Sequence, residues 1–357
     1  MLLNQVQPEE GELVAKLGGV HYKVLWLNGN VNHMSVEILQ RLATLAQAGI
    51  PICGAKPAGK AGQAGTQEEF DALVNQIWSC KNVYEGNDIA AVLKATGIAP
   101  DFIAQDADEY KYLHRTLPGA EIYWVNKPSH EYTAVKASFR VNGLRPQIWH
   151  PEDGRIEDVS YEMVDGRTVV TFMMVPDDAL FVVFSGKGSG KHTVPEAQES
   201  ILAKLDSPWT VKFQEKRGAP ESATFVTLQS YTESADPGIK YFSGVATYQN
   251  SFRSGTVDGK IIIDLGEVCD LAEVWVNGKY CGTAWKEPYL VDITSAVKEG
   301  ENTLEVKVAN VWVNRLIGDE QPGAKRITYT DARGAYNAGS PLNPAGLLGP
   351  VRLICRK

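Results

Sequence analysis

The chain has 357 residues, 44% of them hydrophobic, and a formal net charge of −8 at pH 7. That length predicts two or three domains, and an acidic balance without any basic block argues against a nucleic-acid or anionic-membrane partner. No apolar run reaches the roughly 18 residues of a membrane span. The N-terminal residues lack the basic and apolar regions of a signal peptide, so we expect none in this chain.

The five cysteines are far apart and form no CxxC pair, which argues against the common zinc and thioredoxin motifs. We interpret them as small buried hydrophobic residues. A disulfide is the less favoured alternative, and only Cys269 and Cys281 are near neighbours along the chain.

The first stretch, to about residue 104, alternates short apolar runs with helical patterns. The runs that predict strands are His21–Leu27, Ile50–Cys53 and Asn82–Tyr84. Ser35 and Thr66 can cap helices between them, because a hydroxyl oxygen accepts from the free amides of a first helical turn. A third helix is predicted from Asp88 to Thr96. This succession predicts an incomplete parallel sheet with flanking helices.

From about residue 105 to 186 the hydrophobic period changes to two, which is typical of half-buried strands. The predicted strands are Glu121–Asn126, Val135–Val141, Thr168–Met174 and Leu180–Phe184. Asp165-Gly166 predicts a tight hairpin, because a type I′ turn needs positive φ at both central residues. The pattern indicates a small antiparallel β-sandwich.

A Gly- and Ser-rich segment follows the last of these strands. Only three residues separate Gly186 from Gly190, and His192 stands where a phosphate-binding loop needs Ser or Thr. We therefore interpret residues 187–194 as a flexible linker.

The third stretch, residues 195–357, has the period of an all-β domain. Its predicted strands are Lys260–Leu265, Leu271–Val276 and Thr303–Ala309. Asn277-Gly278 predicts a two-residue hairpin that places Trp275 opposite Tyr280 and Val274 opposite Cys281. We expect an antiparallel, jelly-roll-like sandwich.

No catalytic signature is present in the sequence, and the six histidines are scattered. We assign no catalytic residue, no metal ligand and no cofactor. A glycosidase carboxylate pair must face across a cleft at about 5–10 Å, which sequence spacing does not reveal.

Aromatic and planar polar residues near the end of the third stretch are the candidate carbohydrate-binding residues: Trp285, Trp312, Asn314, Arg315 and Asp319. A Trp ring can stack on the apolar face of a sugar, and planar donors and acceptors suit its hydroxyls. The alternative is that the aromatic residues close the end of the sandwich while Arg315 and Asp319 form a structural pair.

Several segments carry a family resemblance. Those that resemble the sugar-binding β-sandwich of family 2 glycoside hydrolases are Val274–Lys279, Gly282–Tyr289, Asp292–Thr294 and Gly300–Leu304. Those that resemble the C-terminal sandwich of large bacterial α-L-rhamnosidases, glycoside hydrolase family 106, are Asn310–Glu320 and Ser340–Pro350. Those that fit the same family earlier in the chain are Ile52–Pro57, Ala120–Asn126 and Pro146–Pro151.

Members of that family are much longer, and their catalytic (β/α)8 barrel precedes the region matched here. The resemblance therefore implies the C-terminal portion of such an enzyme, without the barrel, its glutamates or its calcium. It implies a multidomain α/β plus all-β chain. The predicted parts are a partial flavodoxin-like or amidotransferase-like α/β unit (1–104), a small β-sandwich (105–186), the linker (187–194) and a jelly-roll, galactose-binding-like β-sandwich (195–357).

Three hypotheses for function follow. The first is a non-catalytic part of an α-L-rhamnosidase-like enzyme, inactive alone, which supports the barrel and contacts rhamnose-containing glycans. The second is a stand-alone carbohydrate-binding module, and the third is a structural β-sandwich protein without sugar binding. For the first, we expect the parent enzyme to be bacterial and periplasmic or secreted.

Overall fold

A computed structural model of the chain describes residues 2–27, 29, 32–105, 109–195, 197–330 and 334–357. The fold is mostly β and contains several separate sheets. It divides into two compact units, Met1–Asp101 and Phe102–Lys357. Among the described residues, no helix is long and apolar enough to cross a membrane.

Unit 1 combines a small antiparallel sheet with a parallel α/β arrangement. Its strands are β1 (Val6–Glu9), β2 (Glu12–Ala15), β3 (His21–Tyr22), β4 (Leu25–Trp26), β5 (His33–Met34), β6 (Ile52–Cys53), β7 (Gly59–Lys60) and β8 (Val83–Tyr84). Its helices are α1 (Val36–Gln47), α2 (Gln67–Trp78) and α3 (Ile89–Ala95). Strands β4, β6 and β8 form a three-stranded parallel sheet, and β1, β2 and β3 form an antiparallel one.

The predicted helix caps are confirmed. Ser35 Oγ accepts from Ile38 N at 3.3 Å, and Thr66 Oγ1 accepts from Glu69 N at 3.1 Å. Each bond satisfies one of the amides that a first helical turn leaves without an intrahelical partner. The run predicted as one strand, His21–Leu27, is divided into β3 and β4, which belong to different sheets.

The first part of unit 2 is an antiparallel sandwich, here called the middle sandwich. Its strands are β9 (Phe102–Ala104), β10 (Lys111–Leu117), β11 (Ala120–Asn126), β12 (Thr133–Phe139), β13 (Leu144–Trp149), β14 (Ile156–Asp158), β15 (Ser160–Val164), β16 (Arg167–Met174), β17 (Ala179–Lys187) and β18 (Lys191–His192). One sheet has the order β10-β11-β17-β13-β14 and the other β18-β15-β16-β12-β9. Their inner faces enclose one hydrophobic core.

Two details of the middle sandwich differ from the predicted boundaries. Phe102–Ala104, assigned by sequence to the first stretch, pairs with β12. The segment interpreted as a linker, 187–194, is not a free linker, because Lys191 and His192 pair with Glu162 and Tyr161 of β15. Backbone hydrogen bonds outweigh the flexibility of its Gly and Ser residues there.

The rest of unit 2 forms a second sandwich, here called the C-terminal sandwich. Its strands are β19 (Glu199–Lys204), β20 (Trp209–Phe213), β21 (Ser222–Phe225), β22 (Val245–Ser254), β23 (Lys260–Asp264), β24 (Glu267–Cys269), β25 (Leu271–Val276), β26 (Lys279–Ala284), β27 (Leu290–Asp292), β28 (Gly300–Ala309), β29 (Gly346–Gly349) and β30 (Arg352–Arg356). Its helices are a 3-10 helix (Tyr231–Glu233), α4 (Pro237–Lys240) and α5 (Val313–Asp319). Its sheets are β21-β20-β22-β28-β25-β26, β19-β30-β23-β27 and β24-β29.

The hairpin between β25 and β26 is confirmed, with φ of 52° at Asn277 and 77° at Gly278. Trp275 lies opposite Tyr280, and their ring centroids are 5.2 Å apart. The predicted pairing of Val274 with Cys281 is wrong, because a register shift places Gly282 opposite Val274. All five cysteines are free thiols, so the less favoured disulfide does not form.

Candidate functional site

The candidate residues lie at one end of the six-stranded sheet of the C-terminal sandwich. Ala284, the last residue of β26, pairs with Ala272, which in turn pairs with Val308 near the end of β28. Strands β26 and β28 therefore terminate at the same end of the sheet. Trp285 directly follows β26 and Trp312 follows β28 by three residues, so both segments leave the sheet at the same end. This is where loops usually carry function on a rigid sheet.

The two tryptophans are exposed. Trp285 is 52% exposed and Trp312 is 46% exposed. The Arg217 guanidinium carbon lies 4.6 Å from the centroid of the Trp312 ring, so that ring already has a cationic partner. Exposed indole surface at Trp285 and Trp312 is available to a ligand, with Arg217 supplying planar donors beside Trp312.

Asn314 holds a loop in place. It lies on α5 and is buried. Its Nδ2 donates to Asn343 O at 2.7 Å, and its Oδ1 accepts from Asn343 N at 2.9 Å. Both bonds are to backbone, so the amide fixes the approach of the segment before β29 to α5.

Arg315 and Asp319 form a buried ion pair, with Nη2 3.0 Å from Oδ1 and side-chain exposures of 6% and 2%. The other carboxylate oxygen of Asp319 accepts from Ile327 N at 3.1 Å, and from Thr328 N at 2.7 Å and Oγ1 at 2.5 Å. Burial alone would raise the pKa of Asp319, but these hydrogen bonds and Arg315 hold it below its usual value. These contacts favour the alternative interpretation, in which Arg315 and Asp319 form a structural pair.

Gly318 makes room for this pair. A Cβ added there would lie 2.5 Å from Tyr241 Cβ and 2.6 Å from Arg315 Nη2. Gly318, in the sequence Leu-Ile-Gly-Asp, is therefore the sequence feature that could have indicated the close packing of the Arg315 guanidinium.

A small polar cavity of about 30 Å³ adjoins the Asp319 end of α5. Its lining residues are Leu316, Asp319, Glu320, Arg326, Thr328, Thr330, Gly334 and Tyr336. A volume of that size holds about one water molecule and is too small for a sugar ring. A sugar bound at this end of the sandwich would therefore contact the exposed tryptophans rather than occupy this cavity.

A charged cluster that the sequence patterns did not predict lies between the two sandwiches of unit 2. It is here called the Lys286 cluster and consists of Lys286, Asp178, Glu152, His150 and Glu157. Lys286 Nζ lies 2.6 Å from Asp178 Oδ1, which is buried, and 3.3 Å from Glu152 Oε1. His150 lies 3.0 Å from Glu157 and 3.7 Å from Glu152. His150, Glu152 and Glu157 lie close together in the chain, around the turn between β13 and β14, whereas Asp178 and Lys286 are distant in sequence and no local pattern brings them to the other three.

The pKa values in this cluster are shifted by its own contacts. Burial would lower the pKa of His150, but its contacts with Glu152 and Glu157 raise it above its usual value. Burial would raise the pKa of Glu152, yet the neighbouring His150 and the charge of Lys286 lower it to about 2. Hydrogen bonds from His150 and Arg155 lower the pKa of Glu157 to about 2. The cluster is therefore an ionic contact at neutral pH.

In the part of the chain that the structure describes, no group of three His, Cys, Asp or Glu side chains is arranged to hold a metal ion.

The comparisons with known proteins point in one direction. Residues 1–163 match the family model described as alpha-L-rhamnosidase. The whole chain superposes on a rhamnosidase from Novosphingobium sp. PP1Y with a TM-score of 0.91 and 40% identity, covering 100% of this chain and 35% of that one. A putative beta-glucuronidase from Formosa agariphila is 36% identical over 336 residues, covering 80% of this chain and 28% of the relative. The chain thus spans about a third of the length of these relatives.

Proposed function

Because residues 1–163 match the alpha-L-rhamnosidase family model and the whole chain superposes on a rhamnosidase, we propose that this chain is the non-catalytic, carbohydrate-contacting part of a rhamnosidase-type glycoside hydrolase of family 106. The observation that carries the proposal is the match to the Novosphingobium rhamnosidase, which extends over all of this chain but only 35% of that protein. In this proposal the chain supports a catalytic barrel, and the C-terminal sandwich contacts rhamnose-containing glycans.

The proposal includes the finer classification of the parts. Unit 1 is a partial flavodoxin-like unit, and the C-terminal sandwich is a jelly-roll of the galactose-binding type. In this proposal the parent enzyme is periplasmic or secreted, because polysaccharide substrates are found outside the cytoplasm.

The contact surface that the geometry favours is narrower than the candidate set. Trp285 and Trp312 offer exposed rings, whereas Asn314, Arg315 and Asp319 are buried and bonded within the protein. The tryptophans are therefore the contact residues we propose, and the α5 residues position the segment that carries Trp312.

The test is calorimetric binding of rhamnose and rhamnose-containing oligosaccharides to the purified chain. Trp285→Ala and Trp312→Ala should each weaken binding by about two- to tenfold, since one lost aromatic contact is worth about 0.5–1.5 kcal/mol. Trp26→Ala, at an exposed tryptophan of unit 1, is the matched control and should leave binding unchanged.

The outcome also separates the alternatives. Binding without hydrolysis of an aryl α-L-rhamnoside supports the proposal. Hydrolysis that a single carboxylate substitution abolishes would contradict the non-catalytic assignment, and absence of any sugar binding would favour the structural β-sandwich.

A further inference from the structure

The outer face of the five-stranded sheet in the middle sandwich carries a continuous apolar row. Leu113 pairs with Trp124, Trp124 with Phe181, Phe181 with Trp149, and Trp149 with Ile156. Directly paired residues of an antiparallel sheet point to the same side. The row, here called the aromatic row, therefore crosses all of β10, β11, β17, β13 and β14 at right angles to the strands.

The row points away from the core. Its neighbours along the strands, among them Tyr123, Leu180 and Ile148, are buried in the core of the middle sandwich. Alternation then places the row on the opposite face. Three of its members remain open, with Leu113 57%, Trp149 41% and Ile156 53% exposed. The outer face of an antiparallel sandwich is ordinarily polar, so an exposed apolar row on it indicates a binding surface.

Three basic side chains and one carboxylate lie beside the row. By the same register, this face carries Lys111, Arg115, Arg145 and Asp158. Asp158 is engaged by Arg145 Nη2 at 2.5 Å and accepts from Gln147 Nε2 at 2.9 Å. Its charge is thereby neutralised, and Lys111 and Arg115, both exposed, give the face a positive charge in a chain whose net charge is −8.

We propose that the aromatic row binds an acidic polysaccharide, a chain of uronate sugars, with its rings on Trp149 and on the exposed parts of the half-buried Trp124 and Phe181, and its carboxylates toward Lys111 and Arg115. Aromatic rings contact the apolar faces of pyranoses, and cationic side chains attract the carboxylates. Four strand spacings of about 4.8 Å give the row a length of about 19 Å, which suits an extended glycan rather than a single sugar.

This surface lies on the middle sandwich, and the Lys286 cluster lies between it and Trp285 of the C-terminal sandwich, because His150 and Lys286 both contact Glu152. The two proposals name different ligands and different variants, so either can fail alone. The test is affinity electrophoresis of the full chain in gels that contain polygalacturonate, dextran or dextran sulfate. We expect retardation by polygalacturonate and none by dextran.

The variants locate the site. Trp149→Ala should weaken polygalacturonate binding by about tenfold, with an unchanged melting temperature because the ring is exposed. The double variant Lys111→Gln/Arg115→Gln keeps the row and should remove most of the salt dependence of binding. Trp26→Ala, at an exposed tryptophan of unit 1, is the matched control and should bind polygalacturonate normally.

Three outcomes would overturn the proposal. They are no retardation by polygalacturonate, whether or not dextran sulfate retards the chain, equal retardation by dextran, and loss of binding in Trp26→Ala or Trp312→Ala but not in Trp149→Ala. Should Trp149→Ala instead convert a dimer to a monomer in sedimentation, with no polysaccharide bound, the face is a protein interface and the proposal is likewise wrong.

Discussion

At the scale of single residues, burial decides what the planar polar groups of α5 do. Arg315 and Asp319 form an ion pair almost without solvent contact, and Asp319 is also hydrogen-bonded to Ile327 and Thr328. A buried pair of this kind does not gain much stability over apolar residues, but removal of one partner leaves a charge uncompensated. The pair is therefore a sensitive structural position whether or not the neighbouring tryptophans contact sugar.

Arg315→Ala should lower the free energy of unfolding by about 3–5 kcal/mol, because Asp319 would keep its charge without its cation. Urea denaturation of unit 2 measures this loss. Arg326→Ala is the matched control, since Arg326 pairs with Glu320 at the surface, and it should cost about 0–1 kcal/mol. Equal losses in the two variants would contradict the structural role of the buried pair.

At the scale of elements, the Lys286 cluster joins loops of the middle sandwich to the loop after β26. The sign of its pH dependence follows from the shifted pKa values. Glu152 and Glu157 have folded pKa values of about 2, below the unfolded value, so their contribution is present above about pH 4.5 and is lost as pH falls toward 2. His150 has a raised folded pKa, so its contribution is present below about pH 6.5 and is lost as pH rises through that raised value.

The cluster should therefore contribute most between about pH 4.5 and 6.5. We expect His150→Gln to lower the melting temperature of unit 2 more at about pH 5.5 than at about pH 8.5. His130→Gln is the control, because His130 is highly exposed beside Asp177 and should change the melting temperature little at either pH. A loss in His150→Gln that does not vary with pH would show that the charge of His150 is not involved.

At the scale of the whole molecule, the three hydrophobic cores are each confined to one stretch of chain. Among the described residues, they lie within residues 6–83, 102–184 and 205–353. Each of these cores draws its buried side chains from one unit alone.

Limited proteolysis should therefore first cut between Thr96 and Phe102, where the chain leaves α3 and has not yet entered β9. The released fragment Phe102–Lys357 should keep its β-sheet signal in circular dichroism, because it retains two complete cores. A first cut within residues 187–192 would favour the flexible linker that the Gly- and Ser-rich composition predicts, over the strand pairing of Lys191 and His192.

The local chemistry of the sequence determined much of this protein. Hydroxyl caps at Ser35 and Thr66, and the positive-φ turn at Asn277-Gly278, act through residues within three or four positions of each other. Period-two alternation fixed the buried faces, as with Leu304, Val306 and Val308 on β28. Such features depend on the chain's own backbone and on side chains nearby, which is why the pattern alone predicts them.

Only the tertiary structure decided how distant residues meet. Burial of Arg315 and Asp319 depends on the space left at Gly318 and on Thr328, and the Lys286 cluster joins residues from both sandwiches of unit 2. The aromatic row is likewise assembled from five strands, each of which contributes one residue. Contacts of this kind follow from strand order and register, which a linear pattern does not specify.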